Sequence, residues 1–181
     1  MRIRELLVVS DDALDWRLPK NARHIHVPNI HLLGDLRNAS IARANGEFVA
    51  QWDDDDWHHP ERLDKQIAVL RDCRRVDGCV LSRWILAWPT RGWYAISRER
   101  VWEGSIVARR RRMPCYYAIP RSEDAVVKGM RLAALADPNL YIYLVHDANG
   151  WDPAHFERVF AGTERRDDLQ AAIDERLAWV F

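Results

Sequence analysis

Phe48-Val49-Ala50-Gln51-Trp52-Asp53-Asp54-Asp55-Asp56-Trp57-His58-His59-Pro60-Glu61-Arg62-Leu63 is the stretch on which the fold turns. It opens on a run over 47–52 that reads as a strand. It closes on Pro60, which reads as the opening of a helix over 61–73 with Leu63, Ile67 and Leu70 on one face. Four consecutive aspartates lie between the two. Adjacent carboxylates repel one another, and the usual relief is a hard divalent cation, since Mg²⁺ and Mn²⁺ take oxygen ligands. A solvated acidic loop is the plainer reading of a charge run, but the flanks here are apolar and aromatic rather than polar.

Upstream, residues 5–10 (ELLVVS) form a continuous apolar run of the buried, parallel type that exits at Asp11-Asp12. Residues 24–27 read as a short strand broken by Pro28-Asn29. Residues 36–44 read as a helix stopped by Asn45-Gly46 in the manner of a C-cap. Downstream, β-forming residues and tryptophans fill 78–88, 93–97 and 105–108, and the basic run Arg109 to Arg112 follows. Ser122 reads as an N-cap with Glu123 and Asp124 in the first turn of a helix reaching about Leu135. Residues 140–145 (LYIYLV) read as a strand ending at His146, and 163–180 as an amphipathic helix presenting Leu169, Ile173, Leu177 and Val180. Strands alternating with helices, with acidic side chains at strand exits, mean an α/β sheet whose ligands bind beyond the carboxyl ends of the strands. The expected division is one domain over 1–160 with a C-terminal helix over 161–181 packed on it.

The whole chain bounds the partners. Its 181 residues suit one domain, and 48% apolar residues suffice for a core. Lys+Arg and Asp+Glu balance at 27 each, which argues against a general nucleic-acid binder. Nine tryptophans exceed what such a length usually carries; interior packing accounts for most, and tryptophan also lines carbohydrate clefts. Three cysteines without a CxxC pair read as reduced thiols, and no run reaches the length of a membrane span. The expectation is a cytoplasmic protein, at most peripheral to a membrane.

The chain resembles the family 2 glycosyltransferases, which carry the nucleotide-sugar-binding GT-A fold, a Rossmann-like mixed sheet flanked by helices. Residues 36–50 (LRNASIARANGEFVA), leading into Asp53-Asp54-Asp55-Asp56-Trp57 and Pro60-Glu61-Arg62-Leu63, look like the family's Arg-Asn helix, its Gly-Glu-aromatic strand start, its DxD motif and the Pro-x-x-Leu helix that follows. Residues 5–12 are similar to the family's second strand. Ser122-Glu123-Asp124 looks like its xED motif, and His146 like its C-terminal metal-binding histidine. The resemblance spans about 5–150 and is loose over 75–120. The family's first strand and helix would precede Glu5, so an N-terminally shortened fold is expected. Ser10 stands where the family more often has Asp.

The resemblance implies a metal-dependent, inverting glycosyltransferase of hexosyltransferase type. It would move a sugar from a nucleotide diphosphate sugar, by first choice a UDP-sugar, to an acceptor hydroxyl, with Mn²⁺ or Mg²⁺ as cofactor. Asp55 and His146 are then the direct metal ligands. Asp53 shares the metal through water or meets the ribose, because i and i+2 of a strand point the same way. Asp54 and Asp56 point elsewhere, toward Arg62 or the acceptor. Asp124 is the base, ionised with its pKa lowered by the helix N-terminus, and Glu123 orients it. Asp11, Arg37, Asn38 and Gly104 are the remaining donor contacts, Gly104 in a glycine-containing loop over 101–105. Arg109 to Arg112 form a solvated basic loop or grip a diphosphate or an anionic acceptor. Two other readings stay open: a GT-A-like nucleotide-binding module without turnover, and a metal-dependent nucleotidyltransferase or phosphohydrolase. The acceptor is not readable from the residues.

Overall fold

Apolar strands that alternate with one-faced helices have to stack as layers, and the chain does so. The computed structural model describes residues 5–14 and 17–177. Residues 1–4 and Val180, which entered the sequence reading, lie outside the described residues.

Strand β1 (Leu6–Ser10) pairs in parallel with β2 (Ala22–His26), Leu6 opposite Ala22 and Ser10 opposite His26. Helix α1 (Leu33–Arg43) lies against β1. Its far end is tied back where Arg23 donates to the Arg43 carbonyl at 2.9 Å. The pair forms a two-stranded sheet of its own, separate from the strand that follows α1. The sequence reads β1 as buried, yet all its apolar side chains keep some exposure and Leu6 is 41% exposed. One edge of β1 has no strand beside it among the described residues, which explains the incomplete burial.

Two four-stranded sheets carry the core. One has the order β3 (Phe48–Ala50), β8 (Trp102–Arg109), β5 (Gly78–Leu81), β9 (Leu132–Leu135). The other has the order β4 (Trp57–His58), β10 (Tyr141–Leu144), β6 (Ile85–Trp88), β7 (Trp93–Ile96). Helix α2 (Arg62–Asp72) is amphipathic as read: Ile67 and Leu70 are buried against Cys79 and Val107. Helix α3 (Pro153–Phe160) sets Phe156 and Phe160 on Trp88. Helix α4 (Leu169–Leu177) packs Ile173 and Leu177 on Ile85, Tyr94 and Ile142. It starts at 169 rather than 163, because Arg165 bridges Ala95 and the Arg166 N–H donates to the Tyr94 carbonyl at 2.8 Å.

Three local expectations change. The helix over 122–135 is a 3-10 turn over Glu123–Gly129 followed by β9. Ser122 has left-handed backbone (φ 59°) and its side chain caps nothing, while β5 recruits 132–135 as a parallel partner. Sheet pairing overrides the local helix signal. Asn45-Gly46 does not form a left-handed cap either; α1 ends at Ala44 in extended backbone. Residues 102–105 are not a loop but the start of β8.

Candidate active site

The register of β3 on β8 builds one wall. Val49 lies opposite Ala108 and Ala50 opposite Val107, so the chain leaving β3 runs past Gly104. A Cβ on Gly104 would sit 3.3 Å from Asp53 Oδ2 and 3.4 Å from Gln51 Nε2. Glycine there gives the Asp53 carboxylate its room. Gly104 therefore lines the site from a strand, as a spacer behind Asp53.

Asp53 is held from three directions. Arg37 Nη2 donates to its Oδ1 at 2.8 Å, Gln51 Nε2 donates to Oδ2 at 3.1 Å, and the His58 Nε2 donates to its backbone carbonyl at 2.9 Å. Arg37 also donates to Glu123 Oε1, so one guanidinium from α1 clamps the acidic loop to the Glu123-Asp124 turn. This is a buried, charge-assisted bridge between carboxylates 70 residues apart in sequence (123 − 53). Arg37 thus serves inside the protein, where the sequence reading had it contact a donor. Asn38 is likewise engaged: it donates to the Tyr116 carbonyl at 3.0 Å and accepts the Tyr116 N–H at 2.8 Å. Tyr116 in turn donates its hydroxyl to Gln51 Oε1 at 2.8 Å.

Residues 54–56 are a turn, not strand, so period-two alternation does not apply and Asp53 and Asp55 do not converge. Asp55 faces the other wall. Its Oδ2 lies 3.3 Å from His146 Nε2 and 3.3 Å from Asn149 Nδ2. Asn149 also accepts the His146 backbone N–H at 2.8 Å, fixing the loop after β10. Asp54 is exposed. Asp56 turns inward, accepting the Tyr141 hydroxyl at 2.6 Å and the Leu144 N–H at 2.8 Å. Burial pushes its carboxyl well above the usual carboxylate range. It does not reach Arg62, which is fully buried and donates to Gln66, to the Gln51 carbonyl at 3.2 Å and to His58 Nδ1 at 2.6 Å. His58 is kept neutral, its pKa driven down to about 3 by burial and by Arg62.

Asp124 is partly buried beside Glu123. Burial first, then the Glu123 charge, raises its pKa to about 6. The α-helix start expected from sequence is instead an uncapped 3-10 turn, and the pKa moves up rather than down. The correction moves the carboxyl toward neutral pH, where a general base works best. Burial first, then the charges of Asp56, Asp55, Asp53 and Asp124, push the hydroxyl of Tyr143, partly buried on β10, above the usual tyrosine range.

Asp11 sits apart, at the exit of β1. It accepts from His31 Nδ1 at 2.7 Å, and that bond lowers its pKa. Arg109 to Arg112 lie at the opposite end of the molecule from the acidic turn. Because β8 is antiparallel to β3, Arg109 faces Phe48 at the start of β3. Of the run, Arg109 lines a cleft of about 620 Å³ with Arg71, Arg74 and Glu47. The diphosphate grip considered from sequence would need them at the other end.

Gln51, His58, Tyr116 and Asn149 escaped the sequence reading, and Arg62 entered it only as a partner for Asp54 or Asp56. Gln51 meets Tyr116 65 residues on and Asn149 meets Asp55 94 residues back, separations that no local pattern signals.

Asp55 and His146 fit a small hard cation. Neighbouring ligands on an octahedral ion at about 2.1 Å lie about 3 Å apart, close to the spacing here. Among the described residues no group of three or more His, Cys, Asp or Glu gathers around one point. Protein would supply two positions and leave the rest to water and a ligand's oxygens.

A family model described as glycosyl transferase family 2 matches residues 6–137. No curated protein matches the chain. Among solved structures, the crystal structure of S. aureus TarS 1–349 aligns with a TM-score of 0.58 at 18% identity, over 96% of this chain and 60% of that one. The chain therefore spans about three fifths of the TarS chain, and the likeness gives the fold, an α/β architecture of the GT-A type. No helix among the described residues is long and apolar enough to cross a membrane. With the family model covering most of its length, the chain belongs to glycosyltransferase family 2.

Proposed function

We propose that this protein transfers a sugar from a nucleoside diphosphate sugar, by first choice a UDP-sugar, to an acceptor hydroxyl. Transfer is a single in-line displacement that inverts the anomeric carbon. The observation that carries the reading is the meeting of Asp55 and His146, at 3.3 Å, across the same mouth to which Arg37 ties Glu123-Asp124. Asp55 and His146 would hold Mn²⁺ or Mg²⁺. Bound there, the cation supplies Lewis acidity that offsets the charge gathering on the leaving diphosphate. Nδ1 of His146 accepts the Ala148 N–H at 3.2 Å, and Nε2 faces both Asp55 Oδ2 at 3.3 Å and Asn149 Nδ2 at 3.1 Å. Nε2 would be the ligating atom, since it is the ring nitrogen on the Asp55 side.

Asp124 takes the proton from the acceptor hydroxyl as it attacks. Glu123, immobilised by Arg37, keeps Asp124 in place and raises its proton affinity. The exposed carboxylate of Asp11, steadied by His31, meets the nucleotide base or ribose.

The test is titration calorimetry with Mn²⁺ in the presence of UDP. Loss of an outer-sphere partner costs about 10- to 100-fold in metal affinity, so Asp55→Ala, which removes a ligand, costs at least that. Equal Mn²⁺ binding by Asp55→Ala and the parent would remove the assignment. Asp11→Ala is expected to weaken UDP about 10- to 100-fold, the worth of a charge-assisted hydrogen bond, and to leave Mn²⁺ affinity unchanged in the absence of nucleotide. UDP binding that ignores Asp11→Ala places the base elsewhere.

A further inference from the structure

We propose that Asp56 is a positioning residue: its carboxyl group ties the acidic turn to the end of β10 so that Asp55 and His146 meet. The inference rests on reading those two residues as the cation pair.

β4 and β10 are antiparallel, with Tyr141 opposite His58 and Ile142 opposite Trp57. β4 is only two residues long, so its ladder ends there. On its other flank β10 continues against β6 as far as Leu144 opposite Ala87. The Leu144 N–H on the β4 side has outrun its partner strand. A buried N–H without a partner is costly. Asp56, the residue just before β4, supplies the missing acceptor with Oδ1 at 2.8 Å, and its Oδ2 takes the Tyr141 hydroxyl at 2.6 Å. A side chain continues the ladder where the main chain turns away.

The position of this tie gives it its consequence. One bond from Asp56 along the chain is Asp55, and two residues beyond Leu144 is His146. The two segments that must converge are joined at their last common point before they splay. Both Asp56 oxygens are engaged, so the residue holds the pair and takes no part in it.

The test is made on the metal-free protein by NMR with histidine-selective isotope labelling at one fixed neutral pH. His146 resonances are assigned with His146→Gln. Asp55→Asn is introduced into the parent, Asp56→Asn and Asp56→Ala backgrounds, and the displacement of the His146 ring signals is read. Asn keeps an oxygen for the Leu144 N–H and gives an amide to the Tyr141 oxygen, so its displacement stays near that of the parent. In Asp56→Ala the displacement falls by about threefold or more, as coupled residues become independent. Mn²⁺ titrations run in parallel are expected to show half-saturation raised about 10-fold in Asp56→Ala, the cost of a lost outer-sphere partner, and little changed in Asp56→Asn. An undiminished NMR displacement, or an unchanged Mn²⁺ half-saturation, in Asp56→Ala overturns the proposal. Should Asp56→Ala not fold, Tyr141→Phe removes one of the two ties and is held to the same criteria. If the parent itself takes up no Mn²⁺, the cation reading fails and the NMR cycle alone decides the role of Asp56.

Discussion

Asp124→Asn is expected to lower transfer by about 10²- to 10⁴-fold, the usual worth of a general base, while making the protein more stable at neutral pH. The two effects share one cause. The Asp124 pKa rises from 3.8 to about 6 because burial and the Glu123 charge disfavour the carboxylate. A folded-state pKa above the unfolded value means that the native protein binds the proton more tightly. The stability from that proton is complete below the unfolded pKa, near pH 4, and is lost as pH climbs through about 6. At neutral pH the parent has lost it, and the shift corresponds to about 2–3 kcal/mol. Asparagine cannot ionise and keeps most of it. Thermal melts of parent and variant should therefore differ at neutral pH and converge toward pH 4. Transfer by the parent should fall as pH drops through about 6, where the base becomes protonated. UDP and Mn²⁺ binding should survive in the variant, because the role proposed for Asp124 is at the acceptor and not at the diphosphate. Transfer by Asp124→Asn at close to the parent rate would assign the base to another carboxylate.

Arg37→Ala should be the more damaging change to the fold. The guanidinium is 14% exposed and bonds Asp53 and Glu123, the latter 9% exposed, and it lies over the Tyr116 ring at 5.4 Å. Removing one member of a buried ion cluster leaves its partners uncompensated and costs about 3–5 kcal/mol, against a total of about 5–15 kcal/mol for a domain. Urea denaturation measures the loss. A second variant tests the cause: Arg37→Ala with Glu123→Gln also removes the more buried of the two orphaned charges, leaving Asp53 to Gln51 and solvent, and should recover about half of the loss. It should not recover transfer, because the Asp124 turn is no longer tethered to the acidic loop. Equal stability of the single and double variants would trace the cost to lost packing on Tyr116 rather than to charge.

Local sequence carried much of the architecture. The apolar runs over 48–50, 78–81, 85–88 and 141–144 became strands, and the one-faced pattern over 62–72 became α2. These segments are long enough in one period for burial to choose the same conformation that propensity favours. The order of the parts also placed Asp55 and His146 at strand exits, where an α/β sheet opens to ligands. Residues 123–135 went otherwise: their helix signal was genuine but local, and the open edge of β5 offered 132–135 a ladder of hydrogen bonds that no local rule registers.

The amino-acid sequence by itself determined the α/β class, the family, and the presence of four carboxylates at one strand exit. Tertiary structure alone decided what each aspartate does. Asp53 goes to Arg37, Asp55 to His146 and Asp56 to Tyr141 and Leu144, while Asp54 stays in solvent. Four identical side chains in a row have the same local chemistry. They are told apart only by partners 16 to 91 residues away in the chain (53 − 37 and 146 − 55), brought to them by the folding of the sheets.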